Sequence, residues 1–90
     1  MRPKSHFETP TANSVAKDLW QLTVLISELR RTVHDFEASI EVEEDRAQVF
    51  NVAKPGYPLL ARNFKARRDN LLVTISMLEN HLKRAETSAA

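Results

Sequence analysis

Apolar side chains return along this chain every three or four residues, and that alternation breaks only once. Val15, Leu19, Leu22, Ile26, Leu29, Val33, Phe36 and Ile40 are spaced 4-3-4-3-4-3-4, and Glu43, Ala47 and Phe50 continue the register. A repeat averaging 3.5 residues lies close to the helical turn of 3.6, so it draws one apolar stripe down one side of an α-helix; a strand would need alternation every second residue. No proline or glycine occurs between Thr11 and Lys54. The spacing predicts a helix over residues 14–51, with Thr11, Asn13 and Ser14 as candidate N-caps whose side chains can accept from the first free backbone N–H groups.

The interruption is Lys54-Pro55-Gly56-Tyr57-Pro58. Proline fixes φ and glycine accepts positive φ, so the segment reads as a tight turn, and Pro58 suits the first turn of a following helix. The repeat then resumes at Tyr57, Ala61, Phe64, Arg68, Leu71, Ile75, Leu78, Leu82 and Ala85, which predicts a second helix over 58–86. Residues 1–12, with Pro3 and Pro10 as breakers, read as a flexible N-terminal tail, 13–86 as a helical hairpin, and 87–90 as a frayed C-terminus.

Two long helices with a short connection become antiparallel neighbours. If the chain reverses near Lys54, the two stripes meet layer by layer: Phe50 with Tyr57, Ala47 with Ala61, Phe36 with Leu71, Val33 with Ile75, Leu29 with Leu78, Ile26 with Leu82, and Leu22 with Ala85. The expected fold is all-α, a long antiparallel, coiled-coil-like two-helix hairpin. Charge agrees with the pairing. An acidic block from Asp35 to Asp45 falls beside a basic block of Arg62, Lys65, Arg67 and Arg68. Such pairs contribute little individually, but a parallel or shifted pairing would lose them. Two positions within the stripes are themselves charged, Glu43 and Arg68. They are expected to form a polar core pair that sets the register, or else a polar notch open to a partner.

Composition narrows the function. Ninety residues make one small domain, and without cysteine neither a disulfide nor a thiolate metal site is available to it. Thirteen basic and twelve acidic side chains nearly cancel, so overall charge points neither to nucleic acid nor to an anionic membrane. The polar start lacks the apolar run of a signal peptide, and the apolar stretch near Leu22–Ile26 falls far short of the ~20 residues of a membrane span, which leads to the expectation of a cytoplasmic protein. His6, His34 and His81 are scattered. His34 and Glu37 share a helix face, but the order is the reverse of the Glu-x-x-His of di-iron bundles. No glycine-rich phosphate loop and no nucleophile–base grouping is visible, so no catalytic residue, metal or cofactor is expected.

The apolar residues exceed what a two-helix seam can cover. Trp20, Val24 and Leu25 in the first helix, and Leu72, Val73 and Met77 in the second, fall outside the stripes, as do Val42, Val49, Leu59 and Leu60. A second apolar band of this kind is expected to bind a partner: another copy, giving a four-helix bundle dimer, or the helix of a different protein. Trp20 has two readings, an anchor for that partner or a cap over the open end of the core. The expected function is therefore that of a small non-enzymatic helical adaptor or regulator, acting by self-association and coiled-coil contact. The alternative is a nucleic-acid-associated regulator using the basic face Arg62–Arg68, with Arg30 and Arg31.

Overall fold

The computed structural model describes residues 12–89. They form two helices, α1 (Ala12–Ala47) and α2 (Leu59–Ala89), packed against each other along their length, with no strand among the described residues. Arg30 meets Glu79 and Glu44 meets Lys65, so numbers rise along one helix as they fall along the other. The helices are antiparallel, within one or two residues of the register expected from the two stripes. The hairpin measures 59 × 36 × 17 Å, with a radius of gyration of 19.5 Å. A compact chain of this length would have a radius of ~12 Å, so this is an elongated slab one helix thick.

Two clusters lie along the seam. Ile26, Val33 and Ile75 are buried, and Leu22, Leu29, Leu71, Leu78 and Leu82 pack around them. Nearer the turn, Ile40, Tyr57 and Ala61 are buried among Val49, Val52 and Phe64. Between the clusters the Phe36 and Phe64 rings tilt together, with centroids 5.7 Å apart, a favourable aromatic geometry.

The chain departs from its heptad at the end of α1. The helix stops at Ala47, not at residue 51, because Gln48 takes the left-handed conformation (φ 57°) that closes helices. Its N–H donates to the Glu44 carbonyl at 2.7 Å and its side-chain Nε2 to the Asp45 carbonyl at 2.6 Å, so two carbonyls left unpaired by the helix end are satisfied. A turn follows, closed by the Lys54 N–H on the Asn51 carbonyl at 2.9 Å. Asn51 Oδ1 accepts from the Ala53 N–H at 2.9 Å. The Lys54–Tyr57 turn then carries Pro55 second and Gly56 third, with Gly56 at φ 86°, a value an L side chain tolerates poorly.

This early stop overturns two expected layers. Ala47 is exposed and does not face Ala61, and Phe50 is 56% exposed and does not cover Tyr57. The loop instead folds Val49 and Val52 over the Ile40–Tyr57–Ala61 cluster, and Arg62 Nη2 clips it down through the Val52 carbonyl at 3.1 Å. At the other end α2 continues to Ala89, through the residues expected to fray. The expected tail lies outside the described residues apart from Ala12, which already belongs to α1.

Candidate interaction surface

A slab one helix thick has two broad faces, and in this hairpin they differ. Residues seven apart share a face, since seven residues make nearly two helical turns. Arg30, Glu37 and Glu44 of α1 and Lys65, Leu72 and Glu79 of α2 are related in this way. Across this face run the two interhelix ion pairs, Arg30–Glu79 and Lys65–Glu44, the latter at 3.3 Å. Tyr57 joins the second pair, its hydroxyl donating to Glu44 Oε2 at 2.6 Å. The Lys65 ammonium and the Arg62 guanidinium lie 5.3 and 5.6 Å from the centroid of its ring, within cation–π range.

The three groups of this cluster tune one another. The hydrogen bond from Tyr57 holds the Glu44 carboxyl below its ordinary value, helped by the Lys65 ammonium. Burial pushes the Tyr57 hydroxyl up, and its bond to Glu44 adds to the rise. Lys65 is raised as well, first by the Tyr57 oxygen and then by Glu44. The polar seam is therefore Glu44–Tyr57–Lys65. The expected core pair does not form: Glu43 goes to Arg46 at 3.4 Å and Arg68 to its neighbour Asp69 at 2.9 Å. The physical reason is local reach, because each charge finds an opposite partner on its own helix. Glu43 instead lines a groove on the other face.

That other face carries grooves. Ala38, Ser39, Val42, Glu43, Leu60 and Phe64 line one. Thr32, Phe36, Arg67, Asn70, Leu71 and Thr74 line the next, and a third runs along α2 between Met77, His81 and Arg84. The rims again repeat every seven residues: Leu25, Thr32 and Ser39 on α1, and Leu60, Arg67, Thr74 and His81 on α2. The grooves are less polar than their composition suggests. The Thr32 hydroxyl donates to the Glu28 carbonyl at 3.2 Å and that of Thr74 to Asn70 at 3.1 Å, so both hydroxyls are engaged by their own helix.

The residues expected to bind a partner are distributed over three surfaces. Trp20, Leu25, Leu72, Val73 and Met77 are exposed, and Val24 is half-buried. At 100° per residue, Trp20 and Val24 stand 200° from Leu22, and Val73 stands 200° from Ile75, so these three point outward from the seam. Leu72 belongs to the ion-paired face, and Leu25 and Met77 to the grooved one. The single apolar band expected from sequence is thus divided. Trp20, 65% exposed, caps no core end among the described residues. Val42 and Leu60 line one groove together, a pairing that spacing did not signal, because Val42 shares its seven-residue series with Asp35 and Glu28 and Leu60 its own with Arg67, Thr74 and His81.

Of the basic block, Arg62 holds the loop, Lys65 holds Glu44 and Arg68 holds Asp69, whereas Arg67 lines a groove. His34 Nδ1 lies 3.5 Å from Glu37 Oε1 in solvent, and no three His, Asp or Glu side chains converge as a metal would require among the described residues. No helix of the described residues is long and apolar enough to cross a membrane. No protein-family model, curated protein or solved structure matches the chain.

Proposed function

We propose that this protein is a non-enzymatic helical adaptor that works by self-association and coiled-coil-type contact with other helices. One observation carries the reading: a slab only one helix thick leaves Trp20, Leu25, Val42, Leu60, Val73 and Met77, among others, in water. Apolar surface on this scale, grooved between two helices, is where proteins recognise other helices. A binding role also suits the chemistry present, since several charged side chains pair within the hairpin and no three His, Asp or Glu side chains converge among the described residues. Sedimentation equilibrium of the pure chain tests the proposal. The expected result is an oligomer at micromolar concentration, and a well-folded monomer there would overturn self-association.

A further inference from the structure

Resting on that reading, we infer that the grooved face is where a second copy of this chain docks, with the twofold axis running along the hairpin so that each α1 lies antiparallel on the partner's α2. The choice of face follows from what already occupies each. The opposite face is bridged by Arg30–Glu79 and Glu44–Lys65, whose charged groups would lose water if a partner covered them, and desolvating ion pairs is costly. The grooved face has no charge bridging the two helices among the ion pairs of the described residues. Its floor is Phe36, Phe64 and Leu71, half-buried rings and aliphatics that a second helix pair would finish burying. On its rims, Val42 and Leu60 are 53% and 52% exposed, and Thr32 and Thr74 have their hydroxyls tied back.

Charge selects the orientation. Residues at seven-residue intervals from Val42 put Asp35 and Glu28 on the α1 rim of this face. The same intervals along α2 put Arg67 and His81, and Asn70, Met77 and Arg84, on the opposite rim, with no acidic residue among them. A twofold axis along the hairpin sets the acid-bearing rim on the basic one. By the levels that the Arg30–Glu79 and Glu44–Lys65 pairs define, Glu28 then sits beside the partner's His81 and one turn from the partner's Arg84. The crosswise alternative stacks α1 on the partner's α1 and brings Asp35 near its own copy in the middle of the interface, a like-charge contact that disfavours it. Both arrangements make every neighbouring pair in the four-helix bundle antiparallel, so charge is what separates them. A face as long as this hairpin and two helices wide offers on the order of 800–1,000 Å² per copy, the scale of a stable dimer.

Because the chain has no cysteine, Ala53→Cys in the loop accepts a single spin label. In the arrangement inferred, both loops lie at the same end of the bundle, and the labels should be roughly 20–30 Å apart, two to three interhelix spacings. Loops at opposite ends would separate the labels by about the 59 Å length of the hairpin, which would overturn this docking mode while leaving self-association standing. Val42→Lys and Leu60→Glu, both at exposed positions the fold tolerates, should each weaken dimerisation at least tenfold, and Leu72→Lys on the ion-paired face should not. The reverse pattern would move the interface to the other face. A folded monomer at micromolar concentration would overturn both this inference and the self-association beneath it.

Discussion

At the scale of single residues, the hairpin is joined near its turn by one tyrosine. Tyr57 is both a buried member of the seam and the donor to Glu44, so it packs and hydrogen-bonds at once. Tyr57→Phe keeps the ring and removes the hydroxyl, and should cost about 1.5–3 kcal/mol in a urea or thermal unfolding experiment, the range of a hydrogen bond to a charged group. The cluster also sets a pH window. Glu44 is held below its ordinary 4.5, so the stability it contributes is present above that value and is lost as pH falls through its folded value. Tyr57 and Lys65 are raised above 10.0 and 10.5, so their contribution is present below those values and is lost as pH climbs through the folded ones. Melting temperature should therefore decline on both sides of the interval from about 4.5 to 10, and Tyr57→Phe should flatten the acid side. Equal acid sensitivity in the two proteins would count against the Glu44–Tyr57 bond. The neighbouring Glu43 shows why this residue was hard to read in sequence. Glu43 falls on the stripe and Glu44 beside it, and periodicity favours the wrong one; the choice is made by Tyr57 Oη and Lys65 Nζ, which arrive from thirteen and more residues away once the chain has reversed.

At the scale of elements, the end of α1 is where heptad reasoning and chain geometry separate. Ala47 and Phe50 keep the spacing, yet Gln48 turns left-handed and the stripe ends before them. Phe50→Ala should thus change stability by less than about 0.5 kcal/mol, as substitutions at exposed positions do, whereas Ile75→Ala, at 2% exposure in the seam, should cost roughly 2–5 kcal/mol. Comparable losses for the two variants in parallel denaturant titrations would revive the longer helix. Gly56→Ala isolates the turn. An added Cβ would meet only Val49 Cγ2 at 4.0 Å, ordinary contact, so the penalty comes from φ alone and should be about 1–2 kcal/mol.

At the scale of the whole molecule, a slab 17 Å thick has no interior of its own beyond a single seam. If the grooved face is buried by a second copy, folding and association are linked by mass action, and the melting temperature should rise with protein concentration. A melting temperature unchanged across a hundredfold range of concentration would mean that the seam alone holds the fold. Salt should have a modest effect on the hairpin, because its exposed ion pairs contribute little individually.

Taken alone, the sequence determined that this chain forms two long helices, that they run antiparallel, and that Ile26, Val33 and Ile75 share a seam, because each of these follows from a period repeated along a single helix and from one proline–glycine break. Periodicity is a property of an isolated helix. It places residues such as Leu25, Leu72 and Val73 off the stripe without saying which side of the pair each will occupy. Only the packed hairpin decided that ion pairs bridge one face and grooves open on the other, because the cross-helix partners, the reach of each side chain and the left-handed residue that ends α1 are settled by contacts between segments distant in the chain.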